Sequence, residues 1–199
     1  MSFAFDRLLN FYFCNYPFPI DIVEDRRLHN LIKYFSYYSR RSRMNVKYIV
    51  IDMYTPYISL IKMMFPNACI VIDKFHLIQL ISRSLNKTRI NVMKKDKDNY
   101  NKLKNYWKNI LKSRLELEYS KWKRYKCFKQ LTTEQDIVDY LISLDNEFKE
   151  TYYVYQDLLY AFQNNDFNLL QTTLNNNYNN ISQYMITSIK TIEEYAKYI

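Results

Sequence analysis

The sequence predicts an α/β chain in which a strand–helix–strand unit precedes a long run of helices, and three observations carry that expectation. Tyr48–Ile51 and Cys69–Ile72 are short apolar runs rich in β-branched residues, and each leads straight into an aspartate, Asp52 and Asp73. Between them Tyr57, Leu60, Ile61, Met64 and Phe65 recur at helical spacing. From Phe75 onward nothing has strand character, whereas apolar residues keep a helical period almost to Ile199. Continuous apolar runs suit strands covered on both faces, as in a parallel sheet. A βαβ unit of this kind sets both carboxylates at the C-terminal strand edge, where open α/β sheets hold their ligands.

Taken in order, Met1–Arg7 and Ile20–Glu24 alternate as strands do and are expected to pair as a hairpin or ribbon. The stretch between them is apolar and lacks an Asn-Gly or Asp-Gly turn signal. Leu28, Leu31, Ile32 and Phe35 mark one apolar face of a helix over Leu28–Tyr38, and Ser39–Arg43 reads as a basic link to the strand at Tyr48. Pro56 suits the first turn of the next helix, and Pro66 ends it. A helix is expected from Phe75 to about Met93, a polar break at Lys94–Asn99, and one long helix over Tyr100–Phe128. Thr133 as N-cap with Asp136 three residues on opens a helix running towards Phe162. Asn164-Asn165 breaks it, and Asp166 onward reads as helical to the end, with the long helices packed antiparallel. The expected domains are 1–93, holding the strands, and 94–199, a helical region.

A chain of 199 residues with 48% hydrophobic residues, 21 Tyr and 12 Phe can bury a core and is not a disordered composition. It contains no glycine, which excludes the Gly-rich phosphate-cradling loops of P-loop and dinucleotide-binding proteins. Cys14, Cys69 and Cys127 are odd in number and far apart, and with no signal peptide they read as reduced cytosolic thiols rather than a disulfide frame or zinc site. No apolar run approaches the length of a bilayer span. The net charge of +9 is unevenly placed: Arg83–Gln130 holds 16 Lys and Arg against 4 Asp and Glu, and Leu131–Ile199 holds 3 against 10. A polyanion would be drawn to the first block. Two solvated helix faces of opposite sign that pair with each other account for it equally well.

Carboxylates at adjacent strand ends are what Mg²⁺ needs, since it takes hard oxygen ligands and keeps several waters. With two metals such a site activates a nucleophilic oxygen and stabilises the leaving one in phosphoryl transfer. Aspartates also end strands as turn and N-cap residues, so spacing alone leaves both readings of Asp52 open. His76, three residues after Asp73, could bond a phosphate oxygen from the first turn of its helix, or serve structurally as a partner of Asp73. His29 has no partner in the sequence and reads as structural.

The stretch VKYIVIDMYTPYISLIKMMFPNACIVIDKFHLIQLISRSLNKTR resembles the central part of DDE transposases of bacterial insertion sequences, in the ISL-three-type branch. The hallmark there is V-x-x-V-x-x-D-M-x-x-x-Y followed by F-P-x-A-x-I-x-x-D-x-F-H. The resemblance extends through DIVEDRRLHNLIKYF upstream and YNKLKNYWKNILK downstream, and so covers most of the chain. It implies a ribonuclease-H-like core with a helical insertion after the last core strand, and a Mg²⁺-dependent cut-and-join reaction on transposon-end DNA. By position, Asp52 matches the second member of the D-D-E metal triad, and Asp73 and His76 match the D-x-F-H pair that organises the site and touches the scissile phosphate. Arg83 and Arg89 fall in the helix that follows, where contacts to the DNA backbone are plausible.

The departures are as informative. The family's first aspartate sits in a D-E-F-type motif ahead of the segment resembling Met1–Ala4, and its glutamate sits in an N-G-x-x-E-G motif that a glycine-free chain does not contain. Asp6 lies past the first position, and Glu193 and Glu194 lack the second motif and read as a solvated helix face. The expectation is therefore an incomplete ribonuclease-H-like core with a mixed sheet, followed by a long all-helical insertion. Such a fragment of a transposase catalytic domain would hold no Mg²⁺ by itself and would not be competent alone. The alternative is a non-catalytic helical protein that binds nucleic acid and competes with transposition. The expected partners are transposon-end DNA, a second copy or a full-length transposase, in the bacterial cytoplasm and away from membranes.

Overall fold

The computed structural model describes residues 9–11, 21–23 and 25–199. The chain forms two compact units, Met1–Asp73 and Lys74–Lys197. In the first, β1 (Leu9–Phe11) pairs antiparallel with β2 (Asp21–Val23), Leu9 opposite Val23 and Phe11 opposite Asp21. The ribbon expectation thus holds at Asp21–Val23, but its partner lies in the stretch read as a connection. The strand expected at Met1–Arg7 lies outside the described residues, as do Asp6 and Cys14.

Helix α1 (Leu28–Ser36) buries Leu31. The basic link is not extended: Ser39 caps a short helix, α2 (Arg40–Met44), by accepting from the Ser42 amide at 3.1 Å. The unit then runs β3 (Tyr48–Ile51), α3 (Thr55–Met64) and β4 (Cys69–Ile72). Arg43 Nη1 donates to the Met64 carbonyl at 2.9 Å and Asn67 Nδ2 to the Met44 carbonyl at 3.0 Å, which ties α2 to the end of α3. Pro56 lies in the first turn of α3, where its missing N–H costs nothing. Strands β3 and β4 pair in parallel with Tyr48 opposite Cys69 and Ile51 opposite Ile72, so the predicted strand–helix–strand unit is present. Tyr57, Leu60, Ile61 and Met64 of α3 are buried, with Ile70 and Ile72 of β4.

Two expectations for this unit need correction. Strand β3 is not covered on both faces, because a crossover helix shields only one side of its sheet. Tyr48 and Val50 stand 67% and 62% exposed, while Ile49 and Ile51 are half-buried. Nor is there one mixed sheet: among the described residues β1–β2 and β3–β4 are separate two-stranded sheets. The class established is mixed α/β with small sheets.

The second unit begins with α4 (Lys74–Lys95), α5 (Tyr100–Asn105) and α6 (Trp107–Leu111). The single helix expected over Tyr100–Phe128 does not form. The chain bends at Tyr106, makes a 3-10 turn at Arg114–Glu116, and closes a small antiparallel ladder between β5 (Lys123–Arg124) and β6 (Leu131–Thr132). The insertion is therefore not all-helical. The reason is that Leu115 and Trp122, which continue the helical period, face solvent and bury nothing that would reward a helix.

Thr133 and Asp136 form a full capping box at the start of α7 (Glu134–Ile142). The helix expected to run on to Phe162 is interrupted, because the Asp145 carboxylate accepts from the Phe148 amide at 2.8 Å and starts α8 (Asn146–Asn164) afresh. Asn165 closes α8 in the left-handed conformation at φ 54°, which asparagine tolerates where no glycine is available. The last expected helix is also two, α9 (Phe167–Asn175) and α10 (Gln183–Tyr195), the second capped by Ser182.

Phe148, Tyr152, Leu85 and Ile81 are fully buried at the centre of this unit. Small hydroxyls set the registration of three helices. Ser84 and Ser188 lie 2.6 Å apart, Thr88 Oγ1 donates to Ser182 Oγ at 2.7 Å, and Thr151 Oγ1 accepts from the Ser182 amide at 2.9 Å. Since 84 meets 188 and 88 meets 182, α4 and α10 run antiparallel, as expected. No helix among the described residues is long and apolar enough to cross a membrane.

Candidate functional site

Ile51 and Ile72 are register partners on parallel strands, so Asp52 and Asp73 leave neighbouring strand ends side by side. The Asp73 amide donates to the Ile51 carbonyl at 2.8 Å, carrying the ladder up to the carboxylates, and the Tyr54 amide turns back to the Asp52 carbonyl at 2.8 Å. Asp52 is half-buried, yet its Oδ1 is fully enclosed and accepts no hydrogen bond. Enclosing a carboxylate oxygen without a donor costs free energy, so such an atom asks for a reason.

Tyr57, on the first turns of α3, belongs to the same electrostatic neighbourhood. Burial pushes its hydroxyl up from the ordinary phenol range, Arg26 opposes that, and the neighbouring Asp52 and, least, Tyr54 reinforce it. Its hydroxyl donates to the Arg26 carbonyl at 3.4 Å, and its ring meets Tyr54 edge-on at 4.8 Å. Arg26 and Tyr57 near Asp52 were not foreseen from the sequence; the one available signal was the helical spacing that made Tyr57 a core residue.

Asp73 closes β4 and the chain enters α4 at once, with His76 half-buried in its first turn and its ring edge-on to Phe75 at 5.8 Å. His29 lies in the first turn of α1. The carboxylate pair at the two strand ends is the donor type a hard divalent cation takes, and the enclosed Asp52 Oδ1 fits one coordination position. Among the described residues no three His, Cys, Asp or Glu side chains come together as a metal cluster. Asp52 is therefore compatible with Mg²⁺ as one ligand and does not by itself define a complete set.

The two arginines of α4 part company. Arg83 is exposed, but Arg89 is buried, donating from Nη1 to the Leu103 carbonyl at 2.7 Å and from Nε to Asn86 Oδ1 at 2.9 Å. Burial pulls its guanidinium down from the usual arginine range. It holds the end of α5 and has no free face for a DNA backbone, which corrects the expectation. Glu193 and Glu194 are exposed, as expected of a solvated face.

The family model of ISL-three-type DDE transposases, described as "Transposase", matches residues 5–199. The chain belongs to this transposase family. No curated protein and no solved structure matches it. Family membership gives the strand-end aspartates a chemical context and brings with it DNA as the substrate class and a divalent metal as the general cofactor of the family.

Proposed function

We propose that the chain supplies part of a metal-dependent DNA strand-transfer site, with Asp52 as the cation-binding carboxylate and Asp73 and His76 as the residues that organise the scissile phosphate. On this reading β3, α3 and β4 belong to an incomplete ribonuclease-H-like core. The observation that carries it is the enclosed, donor-free Asp52 Oδ1 at a parallel strand end beside the Asp73 strand end. A bound divalent ion would activate the attacking oxygen and stabilise the leaving one. What the chain's own residues do is narrower: Asp52 binds, Asp73 and His76 position, and among the described residues no third ligand completes a metal cluster with them. The chain alone is then not competent to cut.

The test is incubation of the chain with transposon-end DNA and Mg²⁺ or Mn²⁺. No strand cleavage is the expected result. Cleavage abolished by Asp52→Ala would overturn the lack of competence, and cleavage that Asp52→Ala leaves intact would overturn the role of Asp52.

A second reading, favoured by the basic block, is a non-catalytic DNA binder that competes for transposon ends. Exposed lysines line α5 and α6, with Lys104 over the Tyr100 ring at 5.9 Å and Lys108 over Trp107 at 5.7 Å. Binding should be tolerant of sequence and fall steeply with salt as counterions are released. Failure to retard any DNA at low salt removes this reading.

A further inference from the structure

The exposed rings of the basic block are of two kinds. Tyr100 and Trp107 each hold a lysine of their own helix, and outside the block Tyr153 holds its Arg114 at 5.7 Å. Tyr119 and Trp122 hold nothing: they are 76% and 63% exposed, and among the described residues neither ring meets an aromatic ring or a cation. They flank Lys121 in a segment that continues with Lys123, Arg124 and Lys126, and no acid occurs between Glu118 and Glu134.

The backbone that carries these rings is fixed. The Ser120 amide and hydroxyl donate to Glu118 Oε1 at 3.0 and 2.7 Å, and Lys121 pairs with the other oxygen at 3.0 Å. The Gln135 amide donates to the Glu118 carbonyl at 3.2 Å, anchoring the start of the arm to α7. At the far end β5 pairs with β6, and Tyr106 Oη donates to the Lys126 carbonyl at 2.6 Å. Two large rings are thus held out in water on a tethered, wholly cationic arm.

We infer that this arm, Tyr119 to Lys126, is a stacking site for unpaired nucleotides. It rests on reading the basic block as a nucleic-acid face and names what that face prefers. Cations follow a phosphate backbone, and an open aromatic face takes a base of any identity. In a duplex the base faces are already stacked on their neighbours, so vacant rings discriminate in favour of single-stranded or frayed DNA. The cationic surroundings favour this occupant over an apolar protein partner, for which the five positive charges between residues 121 and 129 would have to be desolvated.

The experiment measures binding of oligothymidylate of about 16 nucleotides, and of a duplex of equal length, at low salt. A Trp107→Phe background leaves Trp122 as the single fluorescent reporter. Expected are quenching of Trp122 by the single strand, loss of about tenfold in single-strand affinity for Trp122→Ala and for Tyr119→Ala, retention in Trp122→Phe, and a change in duplex affinity below about twofold. Both positions are on the surface, and unchanged thermal unfolding confirms that the variants fold. Equal loss on both DNA forms, or no loss, overturns the stacking site while leaving a nucleic-acid face intact. Retardation of neither form overturns both. Self-association of the wild type that Trp122→Ala abolishes with DNA binding unchanged makes the arm a protein contact and also overturns it.

Discussion

The two compact units solve opposite problems. Around β3, α3 and β4 the packing is thin: one strand shows Tyr48 and Val50 to solvent, and a carboxylate oxygen of Asp52 is enclosed without a donor. In the helical unit Phe148, Leu85 and Ile81 are fully buried and the interhelical hydroxyls are paired, the Tyr152 hydroxyl being an exception. Burial pushes that phenol far above its ordinary range. The contrast places most of the buried core in the helices and an enclosed, donor-free carboxylate oxygen at a strand end, where a local rule is broken at the candidate site.

The sharpest challenge to that division is truncation in each core. Phe148→Ala should cost about 3–5 kcal/mol in denaturant unfolding. Ile72→Ala, in the thinner unit, should cost nearer about 2 kcal/mol, and equal losses would erase the contrast. Next in size, Arg89→Met leaves the Leu103 carbonyl without its donor and should cost about 1–3 kcal/mol, with DNA affinity in a retardation assay unchanged. A drop in affinity at constant stability would return Arg89 to the DNA face. Thr133→Ala breaks the capping box of α7 and should cost about 1 kcal/mol, read from the thermal midpoint.

The smallest effect concerns acid. The Ser120 hydroxyl and amide, then Lys121, hold the Glu118 carboxyl down at about 2 from the usual 4.5. Its folded value is depressed, so its contribution is present above about 4.5 and is lost as pH falls through about 2. A carboxyl titration followed by NMR should show that midpoint, and Glu118→Gln should remove the corresponding part of the acid limb of stability.

What the sequence revealed follows how strongly each residue's environment constrains it. The β3–α3–β4 unit was legible because Pro56, Pro66 and two strand-ending aspartates punctuate it, and because Leu60, Ile61 and Met64 do bury. The stretch after Tyr100 was not, since apolar identity does not guarantee burial: Leu115 is 79% exposed. The breaks before α8 and α10 rest on Asp145 and Ser182, short side chains that fit a helix surface as readily as a cap until their amide partners are seen. At the site, the placement of Asp52 beside Asp73 followed from parallel pairing. The enclosed oxygen, the nearby Arg26 and Tyr57, and the buried Arg89 depend on contacts far apart in the chain, which no local pattern encodes.

The hydroxyl contacts that join α4, α8 and α10 have one more effect. Ordinary greasy surfaces would let two antiparallel rods slide by a turn, about 5.4 Å, and repack at little loss. Here such a slip would part Ser84 from Ser188 and from the Tyr184 carbonyl, and would leave Thr88 and Thr151 only their bonds to the Ser84 and Glu147 carbonyls of their own helices, so these few oxygen atoms act as a ratchet tooth that favours one axial setting.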